Sequence, residues 1–120
     1  KYFDKGDPYH CYCHKTTRLV SEKLNSIKIK TTFQSRFGPE EWLKPYTDKI
    51  LENLPKEGIK NILIICPGFS SDCVETLEEI SIEGKETFVN SGGENFDIIP
   101  CLNDNDDHIS LLKSLIQRNI

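Results

Sequence analysis

An apolar run closed by a tight turn constrains this chain more than any other segment. Residues 61–66 (Asn-Ile-Leu-Ile-Ile-Cys) predict a buried strand, Pro67-Gly-Phe-Ser-Ser71 a tight turn, and Asp72 the start of a helix running to about residue 91. Ligands of open α/β sheets are met at the carboxyl ends of strands, so the turn and the first helical residues are where a site is expected. Along that helix Glu75, Glu79 and Glu83 recur at i, i+4 and i+8, and none has a Lys or Arg four residues on. Like charges at this spacing cost a helix about 0.2–0.5 kcal/mol per pair, so a stripe that is tolerated points to a cation or to proton movement. The same residues also fit plain helix architecture. Asp72-x-x-Glu75 matches a capping box. At the α-helical period Val74, Leu77, Ile80, Ile82, Phe88 and Val89 share one side, with Glu75, Glu79, Glu83 and Glu86 toward the other as a solvated face. The pattern alone leaves both readings open.

Elements on either side complete an alternating order. Asp7 before Pro8 fits an N-cap with proline at the first helical position, opening a helix to about residue 25. Residues 28–33 have the alternation and β-branched content of a strand, ending at Gln34-Ser35-Arg36. A loop made irregular by Pro39 and Pro45 carries Trp42, and Thr47 is expected to cap a short helix to about residue 54. Lys56-Glu-Gly58 turns the chain into the 61–66 strand, and Ser91-Gly-Gly93 stops the acidic helix. Residues 96–99 read as another strand, and Asp106 or Asp107 as the cap of a last helix. The order αβαβαβα predicts an α/β fold, a parallel sheet flanked by helices with its polar strand ends on one rim. Residues 1–8 read as a strand-to-helix loop with its strand missing. With no methionine anywhere in the sequence, a piece of a larger protein is expected.

Composition narrows the classes. At 120 residues there is room for one domain with a modest core. With 28% charged and 37% hydrophobic residues, the chain is neither disordered nor membrane-spanning in character. A formal charge of −4 argues against a nucleic-acid partner, which asks for a basic face. Five cysteines, an odd number scattered over strand, helix and loop, fit a reducing cytoplasm better than a disulfide framework.

Other candidate residues divide by spacing. His10-Cys11-Tyr-Cys13-His14 places four metal-ligating side chains in five residues. On a helix Cys11 and Cys13 point about 200° apart, so they cannot share an ion, and no Cys-x2-Cys pair exists; surface and half-buried helix residues are expected there. Cys66 closes a buried strand and is expected as a small core hydrophobe. Cys73 lies on the first turn of the acidic helix, where the dipole favours a thiolate, and is a candidate soft metal ligand. Trp42 is either a cap over the core or a wall against a flat aromatic ligand. Ser91-Gly-Gly-Glu94 follows a helix instead of joining strand to helix, so it is no phosphate fingerprint.

Taken together, Lys5-Gly-Asp-Pro-Tyr9, Phe33-Gln-Ser-Arg-Phe-Gly38, Trp42-Leu-Lys-Pro-Tyr-Thr-Asp48, Cys66-Pro-Gly-Phe-Ser-Ser-Asp-Cys73, Glu75-Thr-Leu-Glu-Glu-Ile80 and Ile99-Pro-Cys-Leu-Asn103 resemble the carboxyl-terminal half of bacterial ferrochelatases, in order and across essentially the whole chain. That family inserts Fe²⁺ into protoporphyrin IX. The resemblance implies a Rossmann-like lobe over residues 1–120, one of two lobes holding the porphyrin between them, here with its first strand missing. It implies that Glu75 is the active-site glutamate that partners an essential histidine. Asp72 is then a polar residue beside it, counted with it as catalytic, Glu79 and Glu83 an acidic line leading inward that with Glu75 and Cys73 would meet the metal, and Trp42 an aromatic near the cleft that would contact the substrate. The family bends this helix into π geometry, which would turn the glutamates inward. Cys73 stands where some relatives have histidine, and Gln34 and Ser35 fit structural or supporting roles.

Two departures follow from the same resemblance. The family's histidine would precede Lys1, and the amino-terminal lobe, with most porphyrin contacts, is absent. The 120 residues are therefore expected to be inactive alone. Fe²⁺ is implied as substrate, and no resident cofactor is expected, since Cys11, Cys13 and Cys101 do not reproduce an iron–sulfur spacing. The implied partners are protoporphyrin IX, Fe²⁺ and the amino-terminal lobe, with peripheral membrane contact of the parent and self-association of this piece as further expectations. A chelatase for another metal or tetrapyrrole, such as a cobalt-inserting relative, and a non-catalytic α/β binding module are the competing readings.

Overall fold

Two units, residues 1–50 and 51–120, make up the chain, and the computed structural model describes residues 5–36 and 38–120 of them. Residues 1–4 of the expected first loop, and Phe37 of the second, lie outside the described residues. In the first unit Pro8, expected as the first helical residue, is the N-cap instead of Asp7, and the Asp7 carboxylate accepts a hydrogen bond from the Tyr9 amide at 2.9 Å. Helix α1 then spans Tyr9–Lys23.

The strand expected at residues 28–33 does not form. Phe33 alone pairs, in a single parallel bridge with Tyr46. Its amide donates to the Pro45 carbonyl at 2.9 Å, and its carbonyl accepts from the Thr47 amide at 3.0 Å. β-Branched content expresses a fit to a pleated, half-buried surface, and among the described residues no neighbouring edge offers residues 28–32 a ladder. Helix α2, Thr47–Asn53, follows the bridge. The Thr47 hydroxyl, expected at a cap, donates instead to Thr32 Oγ1 at 2.8 Å.

In the second unit a 3₁₀ turn over Leu54–Glu57 ends at Gly58, whose φ of +88° suits glycine. Strands β1 (Asn61–Ile65) and β2 (Asn95–Ile99) pair in parallel, from Asn61 opposite Asn95 to Ile65 opposite Ile99. This is the expected α/β arrangement, a parallel sheet flanked by helices, with two strands among the described residues. Parallel pairing puts both carboxyl ends on one edge, so the segments after β1 and β2 lie side by side.

The acidic helix between the strands is π-wound over Glu75–Gly84 and continues as α3, Lys85–Asn90. The Lys85 amide reaches the Ile80 carbonyl five residues back. The Ser81 hydroxyl donates to the Thr76 carbonyl, also five back, at 2.9 Å. This winding overturns the α-period wheel. Val74, Leu77, Ile82 and Val89 were expected on the core side but are 64%, 52%, 61% and 45% exposed. The buried row is Thr76, Ile80, Gly84 and Phe88, at a constant spacing of four. Around an α-helix such a row drifts about 40° per step. The wider π turn takes the drift the other way, so the row stays on one side.

Leu51, Cys66, Ile80, Phe88 and Phe96 form the core. Gly84 belongs to the buried row because a Cβ there would lie 3.1 Å from Leu51 Cδ1. The helix ends as the Ser91-Gly-Gly93 signal predicts. Gly92 adopts φ +101°, its amide donates to Val89 O, and the Gly93 amide donates to Phe88 O, which together make a Schellman motif. Helix α4 spans Asp106–Asn119. Its cap is Asn105, whose Oδ1 accepts from the Asp107 amide at 3.0 Å. Asp106 and Asp107, expected as caps, occupy the first turn, where carboxylates meet the positive end of the helix dipole. No described helix is long and apolar enough to cross a membrane.

A Cβ on Gly93 would stand 2.2 Å from Phe88 Cε1, and Phe88 is fully buried, so the ring has nowhere to move. Gly93→Ala is therefore expected to destabilise the fold by about 1–3 kcal/mol, read as a lower urea midpoint at unchanged slope. An unchanged midpoint would show that this contact does not constrain the core.

Candidate functional site

One asparagine ties the two strand ends together. Asn103 adopts φ +49°, a left-handed conformation that Asn tolerates better than most residues. Each of its polar groups is engaged. Its amide donates to Ser70 O at 3.0 Å, and its Oδ1 accepts from the Asp72 amide at 2.9 Å. Its Nδ2 donates to Asp72 Oδ2 and to Cys101 O, both at 2.9 Å. Its carbonyl accepts from His108 Nδ1 at 2.7 Å. Because a carbonyl only accepts, His108 carries a proton on Nδ1; in the neutral ring Nε2 then accepts from the Ser70 hydroxyl at 3.0 Å. His108 is buried at the start of α4, so the network joins the β1 turn, the β2 loop and the last helix.

Asp72 is the acidic member of this network. Oδ1 accepts from the buried Thr76 hydroxyl at 3.0 Å and, at 3.4 Å, from the Cys101 amide. The Asn103 carboxamide, then the Thr76 hydroxyl and the Cys101 amide, hold the Asp72 carboxyl below its ordinary value. The expected Asp72–Glu75 capping box does not form, because the Asp72 amide that Glu75 would reach is bonded to Asn103. Thr76 also accepts from the Cys73 amide at 3.0 Å. Its hydroxyl therefore anchors the start of the π-wound segment from inside the core.

The glutamates run along the border of the buried row. Glu75, Glu79 and Glu83 each precede a buried residue, respectively Thr76, Ile80 and Gly84. The first two are half-buried and the third is exposed. A hydrogen bond with the Cys73 side chain, followed by one from its own backbone amide, holds the Glu75 carboxyl below its usual value. Among the described residues no three His, Cys, Asp or Glu side chains converge on a point that could hold a metal ion. Glu75, Glu79, Glu83 and Cys73 thus stand as a row rather than a closed cage. Cys66 lies in the core as expected, and burial, then the neighbouring Cys101 and Asp72, push its thiol up to about 11. Burial and Asp72 also raise the Cys101 thiol. All five cysteines are free.

In the first unit the half-buried Trp42 donates its indole N–H to the Gln34 carbonyl at 3.0 Å, fixing the loop that carries it. Asn103, His108 and Thr76 went unrecognised as site residues in the sequence. Asn103 closes a motif of the family resemblance, but its partners lie 31 and more residues away or across a loop, and no local spacing announces them.

A parallel βα unit with acids at its carboxyl edge defines a broad α/β class, and comparison narrows it. The Ferrochelatase family model matches residues 1–120. The chain is 57% identical over 122 residues to the ferrochelatase of Marinobacter nauticus, covering 100% of this chain and 33% of that protein. It is 57% identical over 121 residues to that of Allorhizobium ampelinum (99% and 35%) and 52% identical over 124 residues to that of Francisella tularensis subsp. novicida (100% and 37%). This chain belongs to the ferrochelatase family. It spans about a third of the length of the curated relatives it matches.

Two measurements check the site's electrostatics. Since Asp72 titrates lower when folded than unfolded, its stabilisation is fully present above the unfolded value, about 3.9. It is lost as pH falls through the folded value. Asp72→Asn should remove that part of the acid limb from a plot of Tm against pH, and an unchanged limb would count against the network. Cys73→Ala should raise the Glu75 pKa toward its ordinary value, followed by carboxyl ¹³C shifts. A Glu75 titration that does not move would deny Cys73 the hydrogen bond assigned to it.

Proposed function

We propose that this chain is the carboxyl-terminal, acid-bearing lobe of a ferrochelatase that inserts Fe²⁺ into protoporphyrin IX. The observation carrying the reading is the row Glu75, Glu79 and Glu83, set by a π-wound helix directly after a parallel strand. Insertion removes two pyrrole protons and strips water from the ion, and carboxylates serve both as oxygen ligands and as proton acceptors. Glu75 is assigned as the proton acceptor, with Glu79 and Glu83 as an acidic path that hands on the ion or the protons. Cys73 is a lesser candidate ligand. Asp72 holds the start of the row in place, and Trp42 is assigned to the macrocycle on the family match. Fe²⁺ enters as substrate, and no resident cofactor is assigned, the cysteines lacking an iron–sulfur spacing. A cytoplasmic setting suits five free thiols, and the parent is assigned at most peripheral membrane contact.

In the full-length enzyme Glu75→Gln is expected to lower kcat by about 10²–10⁴-fold, the usual range for removing a general base. Unchanged turnover would favour a non-catalytic α/β module, and preference for Co²⁺ over Fe²⁺ in the parent a cobalt-inserting enzyme. The 120 residues alone, a third of the relatives' length, should give no metalloporphyrin from Fe²⁺ or Zn²⁺; turnover near that of an intact enzyme would overturn the assignment of the missing groups to another lobe.

The same piece is proposed to self-associate. Leu63 and Ile65 on β1 are 63% and 53% exposed, and Leu111 and Ile116 on α4 are 52% and 61% exposed. Open apolar faces and strand edges seek partners. Sedimentation at roughly tens of micromolar, a range where partial folds aggregate, should show dimers or larger species, and a clean monomer would refute this.

A further inference from the structure

Two histidines outside the acidic row converge. His10 and His14 stand four residues apart on α1, with their Nε2 atoms 3.3 Å from each other and ring centroids 4.5 Å apart. Buried Phe33 orders both rings: His10 stacks on it at 5.4 Å, 18° from parallel, and His14 meets it edge-on at 6.1 Å. Cys11, between them in sequence, is exposed, and the Cys13 side chain engages Tyr9. The imidazoles, not the thiols, share a direction. We propose that His10 and His14 form a two-imidazole site for a divalent transition-metal ion of the Zn²⁺, Ni²⁺ and Cu²⁺ class.

Distance carries the proposal. Two nitrogens each about 2.0–2.1 Å from one tetrahedral ion lie about 3.3–3.4 Å apart, which is the separation seen. As a hydrogen bond between imidazoles it would be long. Residues at i and i+4 share a helix face, so the backbone supplies the spacing and Phe33 limits the ring rotation that binding would otherwise have to freeze. Both rings reach solvent, so water completes the coordination and the ion is exchangeable. Imidazole ligands favour Cu²⁺, Ni²⁺ and Zn²⁺ over Fe²⁺, so the site selects a different ion from the one assigned to the carboxylates.

The test is a Zn²⁺ titration of the full chain under reducing conditions, followed by ¹H–¹⁵N NMR of the imidazoles. His108, with both ring nitrogens bonded internally, serves as the internal reference. His10 and His14 should shift together at up to one equivalent while His108 stays still. His10→Gln and His14→Gln, both solvent-facing changes, should each weaken the binding by about tenfold or more, because a chelate becomes a single contact. The proposal fails if either variant binds Zn²⁺ as well as the parent. It also fails if Co²⁺, used as a probe, shows a thiolate charge-transfer band while the rings do not move.

Discussion

The second unit depends on a helix keeping one row of residues against its core at a spacing that an α-helix cannot hold. Thr76, Ile80, Gly84 and Phe88 lie four apart and all are buried. An α-helix would have rotated the last of them about 120° from the first, taking Phe88 off the core on which Ile80 sits. The π turn cancels that rotation. In its place Val74, Leu77 and Ile82 are left facing solvent, an arrangement with no benefit to an isolated helix. The winding is thus held from outside, by Leu51 and Phe96 against Gly84 and by Phe96 beside Phe88 at 6.0 Å.

The winding has a chemical consequence. Because the buried row runs straight, the row one residue before it also runs straight, and that row is Glu75, Glu79 and Glu83. Glu75 and Glu79 stay half-buried along the core border, and Glu83 at the end of the row is exposed. A helix of like charges has a local cost, and here it is offset by the packing of the adjacent row. The first turn is locked separately. Thr76 reaches from the core to Asp72 and the Cys73 amide, and Asn103 fixes Asp72 from the neighbouring loop. The start of the acidic row is therefore fixed through Thr76 and Asn103, neither of them acidic.

How much of this was legible in the sequence follows from how local each signal is. The β1 strand, the turn after it, the Gly58 turn and the Ser91-Gly-Gly93 stop are written in consecutive residues, and each is where the chain predicts it, although β1, expected to be buried, leaves Leu63 and Ile65 exposed. The α-period wheel fails because residues 75–84 wind as a π-helix. Val74, Leu77 and Ile82 look like a core face, and only tertiary packing demotes them. The strand at 28–33 failed for a related reason, since its residues fit a sheet but pairing is a property of two segments. The Asp72–Glu75 capping box was locally plausible and lost to Asn103, whose claim on the Asp72 amide crosses 31 residues. The π geometry came only through family resemblance, as nothing in residues 75–84 alone distinguishes it.

Hydrogen bonding separates the roles proposed for the two acids nearest the strand end. Asp72 accepts from Thr76, Asn103 and Cys101, and a carboxylate with its lone pairs so occupied resists protonation. Such a group holds geometry well and accepts protons poorly. Glu75 is also held down, by the Cys73 thiol and its own amide. Two further acids, Glu79 and Glu83, follow it along the row. On the proposed reading proton uptake is assigned to Glu75, while Asp72, held by three partners, keeps the first turn in place.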